Sequence, residues 1–259
     1  MDPVVTFDVD TGTDEVPVWL TGDWHLGHDR CDLESLLAHV ERARQLGARV
    51  IHLGDGPEQV GATDRVTRSG ALWSQQIPPE PQRQMFAELM AGLAVDVLHP
   101  GNHELRVYAR AGLDYTESVV DRILAVRQQA GLPHRPVVPL FRPGYVVYRI
   151  SDRLRYVVYV YHGEGPIVNP FTAHGRLAMD RHGVDIYALG HSHQLAALLV
   201  NVQTPDGSRP VWWLRCGHYL RGPDYAVRRK LGPEGQVGSV CAWLHTRIPQ
   251  VRVEVWPGS

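Results

Sequence analysis

The sequence predicts an α/β fold in a single domain spanning residues 1–259, with two packed sheets flanked by helices. Three observations carry that expectation. Strand-like apolar runs alternate with helical periodicity in the first half, and strand-like runs dominate the second. No internal repeat or low-complexity linker separates the halves, so one layered domain is the economical architecture. At 259 residues, 44% hydrophobic and 21% charged, the chain has ample surface to bury in a core.

Taken in order, residues 16–21 read as a strand and DLESLLAHVERARQLG as a helix. Asp32 is its N-cap, Leu33, Leu36, Leu37 and Val40 form its apolar face, and Gly47 ends it. ARVIHLGD is the next strand. The polar stretch from Gly56 to Pro81 is too long for a tight turn and reads as a surface excursion over a site. QRQMFAELMAGL returns to helical spacing through Met85, Phe86, Leu89, Met90 and Leu93. Val95, Val97 and Leu98 then form a buried strand that Pro100-Gly101 stops, with Asn102, His103 and Glu104 in the exit loop. YVVYRI and RYVVYVYHG flank Ser151-Asp152-Arg153 as a hairpin. A helix near Thr172 to His182 leads into VDIYALGHSH. LAALLVNVQ, a Pro-Asp-Gly turn at 205–207, PVWWLRCGHY, SVCAWLHTR and QVRVEVW follow as strands.

A net charge of -2 gives no sign of a global nucleic-acid surface, yet the charge is unevenly spread. Residues 1–60 hold 12 acidic against 4 basic residues, whereas 104–160 hold 9 arginines against 5 acids. The acidic segment suits bound cations and the arginine-bearing one an anionic substrate. Cys31, Cys216 and Cys241 are odd in number and scattered, which fits a reducing interior better than a disulfide framework. No apolar run approaches the roughly 18 residues of a membrane helix, and the acidic N-terminal segment does not read as a signal peptide. The expectation is a cytoplasmic protein with no membrane partner.

Five strands end in polar clusters: LTGDWHLGH, HLGDGPE, VLHPGNHE, YVYHGEG and YALGHSHQ. In α/β sheets, ligand sites form where the carboxyl ends of strands open into loops. These ends supply Asp23, His25, Asp55, Asn102, His103, His162, His191 and His193, a nitrogen and oxygen set without thiolate. Such a set suits Mn, Fe, Co, Ni or Zn rather than a cysteine-based structural zinc. Asp23 and His25, like His191 and His193, are two residues apart, which in an extended chain puts both side chains on one face. Eight groups exceed the needs of one tetrahedral ion and match two ions sharing a carboxylate. His39, His52, His99, His134, His174, His182 and His245 lie outside these ligand sets and read as structural.

Read in order, D-x-H, G-D, G-N-H-E, H-G and G-H-x-H resemble the calcineurin-like metallophosphoesterase superfamily. The motifs run from residue 20 to 194, and residues 195–259 carry none of them. The resemblance implies a four-layer αββα sandwich of two mixed β-sheets flanked by helices, with a dinuclear metal centre at strand C-terminal ends. By motif position, Asp23, His25 and His193 would hold one divalent ion and Asn102, His162 and His191 the other, with Asp55 bridging. Mn2+ is the expected occupant; Fe, Ni, Co and Zn are compatible. The implied reaction is hydrolysis of a phosphate ester by in-line attack of a hydroxide held between the ions. His103 would be the acid that protonates the leaving group, and Glu104 would orient the loop or a ligand through hydrogen bonds.

Departures narrow the resemblance. GDWHLGH has Leu26 where the serine/threonine protein phosphatases carry glycine, and GDGPEQVG lacks their V-D-R-G. The D-x-H-L-G pattern is more like prokaryotic and phage-type members. A phosphodiesterase or nuclease is the leading expectation, acting on a phosphate ester such as nucleic acid or a nucleotide. It draws on Arg106, Arg110, Arg215, Arg221, Arg228, Arg229 and Lys230, with Arg106 and His28 the main substrate-binding candidates and His218 a weaker one. Trp24, Trp73 and Tyr108 are candidates to stack on a base. The alternatives are a phosphomonoesterase or nucleotidase on small molecules, and an inactive interaction scaffold of the same fold.

Overall fold

The computed structural model describes residues 1–9, 12–59, 75–163, 172–204, 207–222 and 236–258. In chain order the elements begin with β1 (Val4–Asp8), β2 (Glu15–Thr21), α1 (Leu33–Gln45), β3 (Arg49–His52), α2 (Pro79–Ala91) and β4 (Ala94–Leu98). Next come α3 (Asn102–Ala111), α4 (Tyr115–Gln129), β5 (Val138–Pro139), β6 (Gly144–Arg149) and β7 (Arg155–Tyr161). The chain closes with α5 (Thr172–Asp180), β8 (Ile186–Leu189), β9 (Leu195–Thr204), β10 (Gly207–Cys216), β11 (Gly238–His245) and β12 (Val251–Pro257). No helix among the described residues is long and apolar enough to cross a membrane.

Two six-stranded mixed sheets result, ordered β12-β11-β2-β3-β4-β5 and β1-β6-β7-β8-β10-β9. The predicted hairpin is the antiparallel β6–β7 pair, and β9–β12 complete both sheets, two strands in each. Three apolar clusters separate four layers. Val18, Leu20, Ile51 and Val97 meet Val146, Val158, Ile186 and Leu214 between the sheets. Trp19, Trp24, Leu36, Phe86, Met90 and Ile123 fill the space between the first sheet and α1, α2 and α4. Tyr159, Ala178, Tyr187 and Leu189 pack α5 against the second. This is the αββα sandwich.

Two local expectations need correction. The predicted apolar face of α1 is rotated: Leu36 is buried, but Leu33 and Leu37 are 40% and 43% exposed, while Ser35, His39 and Ala43 face inward. Polar residues occupy that face because each finds a partner. Asp32 accepts from Ser35 N and Oγ at 3.2 and 2.9 Å, and His39 Nδ1 lies 2.7 Å from the Tyr219 hydroxyl. The second correction concerns Asn102, His103 and Glu104, which are the first turn of α3 and not a loop. Gly101 is the N-cap, and Glu104, at the third helical position, accepts its backbone N–H at 2.8 Å. The Pro-Asp-Gly turn and most of the 56–81 excursion lie outside the described residues.

A β-bulge sets the phase in which β4 reaches the site. Val50 pairs with Val95 but Ile51 with Val97, so Asp96 is an extra residue. Val97 therefore points between the sheets, whereas Val95 and Leu98 point toward the helices. Asp96 lies in a polar bridge across the sandwich. Arg49 donates to it from Nε and Nη2 at 2.6 and 2.8 Å, and the Tyr148 hydroxyl from the opposite sheet at 3.0 Å.

Burial pushes the Asp96 carboxyl above its ordinary range, with Arg49 and the Tyr148 hydroxyl opposing that shift. The folded protein thus holds this proton to higher pH than the unfolded chain, and the contribution to stability falls as pH rises through the folded value. Arg49→Met removes the opposing charge and widens that window. It is expected to cost about 3 kcal/mol at pH 7, as for a broken buried ion pair. Urea denaturation should show that loss shrinking as pH falls and the Asp96 carboxyl becomes neutral.

Candidate metal centre

The five motif loops leave the carboxyl ends of β2, β3, β4, β7 and β8 and converge. Their side chains form two donor groups, Asp23/His25/His193 and Asp55/His162/His191, each with its ligand atoms within 4.8 Å of one another. Asn102 joins the second: its Oδ1 lies 2.8 Å from His191 Nδ1 and 3.2 Å from His162 Nε2. Asp55 reaches both His162 Nε2, 3.4 Å from Oδ2, and His103, whose backbone N–H donates to Oδ1 at 2.8 Å.

Convergence is achieved by turns rather than by the extended spacing expected. Asp23, His25, Asp55, His191 and His193 all have positive φ, between 49° and 64°. A left-handed conformation costs a non-glycine residue roughly 1–2 kcal/mol, and such strain is found where surrounding structure enforces it at functional positions. Two glycines make room for it. A Cβ on Gly54, itself at φ 104°, would collide with the Gly101 backbone, and one on Gly101 would collide with the Asp55 carboxylate.

Hydrogen bonds fix which face each imidazole presents. His162 Nδ1 donates to Leu53 O at 2.8 Å, turning Nε2 toward Asp55 and Asn102. His25 Nδ1 lies 2.8 Å from Glu58 Oε2, turning Nε2 toward His193 Nε2, 3.2 Å away. Asp23 Oδ2 accepts the His191 backbone N–H at 2.9 Å. Its Oδ1 is buried and makes no hydrogen bond among the described residues, with His193 Nε2 at 3.4 Å and His25 Nε2 at 4.0 Å. A buried carboxylate oxygen without a partner is costly unless a cation takes it.

The electrostatics say the same. Burial disfavours the charged imidazolium of His25, yet Glu58, Asp55 and Asp23 raise its pKa to about 9. At His162 burial is likewise outweighed, chiefly by Asp55, and the value rises to about 10. The cluster demands positive charge, which a divalent ion meets by displacing these protons. Oxygen and imidazole donors without a thiolate fit divalent ions of this kind.

Glu104 joins the second and third loops by accepting from Asp55 N, Gly56 N and Gly101 N at 3.0, 3.0 and 2.8 Å. Glu58 escaped the sequence reading. It closes the HLGDGPE cluster but lies outside the G-D motif drawn from it, yet it forms a third close group with His25 and His103. The only signal was a carboxylate three residues after Asp55.

The substrate candidates separate. Arg106 donates from Nε to Asn102 O at 3.2 Å, and its buried Nη2 has no hydrogen-bond partner among the described residues. His28 enters neither donor group; its Nδ1 accepts from Arg30 N at 3.0 Å and lies 2.9 Å from Asp29. His218 stacks on His193 with ring centres 4.7 Å apart. Arg215 is fully buried, donates to Gly190 O at 3.2 Å and supports the G-H-x-H loop from behind, so it does not face substrate. Arg221 is ion-paired with Asp32 at 2.8 Å. Trp24 is a core residue, while Tyr108 is 57% exposed. Trp73, Arg228, Arg229 and Lys230 lie outside the described residues. His39, His52, His99 and His174 are buried and belong to none of the close donor groups among the described residues.

No family model and no curated relative matches the sequence. Among solved structures, a predicted phosphoesterase from Streptococcus pneumoniae is similar at 14% identity and a TM-score of 0.40, covering 94% of this chain and 99% of its own. Vacuolar protein sorting 29 from Cryptosporidium parvum is similar at 15% identity and a TM-score of 0.43, covering 95% and 100%. The zinc complex of the same protein from Entamoeba histolytica is similar at 12% identity and a TM-score of 0.40, covering 93% and 99%. At such low values these likenesses add nothing to the argument from motifs and geometry. On that argument, the chain resembles the calcineurin-like metallophosphoesterases in the order of its five motifs and in the two-sheet architecture that carries them.

Proposed function

We propose that the chain is a dinuclear metal-dependent phosphoesterase acting on phosphodiesters, nucleic acid or nucleotides among them. One observation supports this above others: two donor groups lie together, joined where Asp23 Oδ2 accepts the His191 N–H at 2.9 Å, and His103 stands beside the Asp55 carboxylate of the second with Nε2 3.8 Å from Oδ2. Asp23, His25 and His193 would hold one divalent ion and Asn102, His162 and His191 the other, with Asp55 between them. Bound there, the ions would neutralise phosphoryl oxygens and acidify the attacking water.

The chain's own residues do the rest. His103 Nδ1 donates to the backbone carbonyl of Glu58, which only accepts, so Nε2 is the nitrogen left to exchange a proton, and it carries one in the imidazolium form. That nitrogen is directed into the site, where it would protonate the leaving oxygen. Asn102 contributes a neutral oxygen, which leaves the centre net positive toward phosphate. Arg106 follows one turn later on α3, and its half-buried guanidinium would take an oxygen of the ester.

The test is turnover of an aryl phosphate diester and the matching monoester after metal replacement with Mn2+, Ni2+ or Zn2+. The diester should be cleaved at least tenfold better by kcat/KM. Preferential cleavage of the monoester would replace this reading with a phosphomonoesterase. Inertness toward both, with two ions bound, would favour an interaction scaffold.

A further inference from the structure

Glu58 touches both His25 and His103, but through different atoms. Its carboxylate reaches His25 Nδ1 at 2.8 Å, whereas His103 Nδ1 is bonded to its backbone carbonyl and lies 3.8 Å from the carboxylate, beyond hydrogen-bond range. We infer that Glu58 is a positioning residue that sets metal affinity through His25, while its main chain alone seats His103. The inference rests on the phosphoesterase reading only for the role of His103; the metal-affinity part does not depend on it.

The two functions are separable because the backbone is held independently of the side chain. Glu58 N donates to Leu26 O at 2.9 Å, and Leu26 pairs with Pro57 in a parallel bridge. On the other side Gln59 N donates to Gln82 Oε1 at 2.8 Å, and Gln82 is fully buried. Truncating the side chain therefore leaves the carbonyl in place. The carboxylate is buried beside His25, so its hydrogen bond fixes the tautomer that presents Nε2 to the donor group and makes that nitrogen a stronger ligand. Loss of such a supporting carboxylate typically weakens metal binding about 10–100-fold.

The experiment is calorimetric titration of Mn2+ into metal-free protein, paired with kcat for the diester at saturating Mn2+. Glu58→Ala should weaken one Mn2+ site, the one His25 serves, about 10–100-fold, with a much smaller fall in kcat once metal saturates. Glu58→Gln keeps an oxygen that accepts from His25 without the charge, and its affinity should fall between Ala and wild type. It also serves as the near-isosteric variant should Glu58→Ala not fold. Wild-type affinity in both variants would overturn the inference. So would the opposite split, a large fall in kcat at saturating Mn2+ with affinity intact, because the carboxylate would then act on His103. If wild type binds Mn2+ but cleaves no phosphate ester, the phosphoesterase reading fails while the titration still decides the Glu58 assignment.

Discussion

His103→Ala is expected to retain both bound ions and lose about 10²–10⁴-fold in kcat, the usual cost of removing a positioned general acid. The geometry separates these quantities. His103 reaches Asp55 through its backbone N–H, which alanine keeps, and its imidazole is bonded outward to the Glu58 carbonyl. Neither of the groups that unite Asp23 with His193 and Asp55 with His191 includes it. Metal content by mass spectrometry should therefore match wild type. The loss should shrink for a diester whose leaving group is a good one, since an acidic phenol needs little protonation. A uniform loss across leaving groups would argue that His103 holds the site together rather than moving a proton.

Asp55→Asn should do more damage: bound metal reduced to one ion or fewer, and turnover lower by about 10³-fold or more, equivalent to several kcal/mol of transition-state stabilisation. The substitution is nearly isosteric, so the amide oxygen can still accept the His103 N–H that Oδ1 accepts now. What disappears is the negative charge beside His162 at 3.4 Å and His103 at 3.8 Å, which the proposed centre places between its ions. Wild-type stoichiometry in this variant would show that the ions do not share this carboxylate.

Much of this site was legible because ligand chemistry restricts residue type. Only a few side chains bind a hard or borderline cation, so five clusters of them at strand ends stood out against apolar runs. The sheets were legible for a similar reason, since Val, Tyr and Trp, which favour strands, recur in β6, β7, β10 and β11, with alternating burial clearest in β6. Other features left weaker traces. The face of α1 was misassigned because Ser35 and His39 are buried through partners, Asp32 beside the first and Tyr219 remote from the second. The start of α3 resembled a loop because its cap is a glycine with no side-chain oxygen, and the capping-box glutamate was the only local clue. Glu58 acts through contacts with His25 and His103, 33 and 45 residues away, which no local pattern encodes.

The left-handed backbone at Asp23, His25, Asp55, His191 and His193 has a consequence for how this protein can change. Each of these residues opposes folding locally, at roughly 1–2 kcal/mol apiece, so the surrounding core must hold them against their preferences. Glycine at any one of them would relax the main chain, and a screen that rewarded thermal tolerance without metal would be drawn to those substitutions first. A chain selected that way would gain stability where it surrendered ligands, and would drift toward an inert relative of the same shape. The reverse route is harder. Restoring one ligand to such a relative reintroduces strain before its partners are present to use it, so the centre is easier to lose one residue at a time than to rebuild.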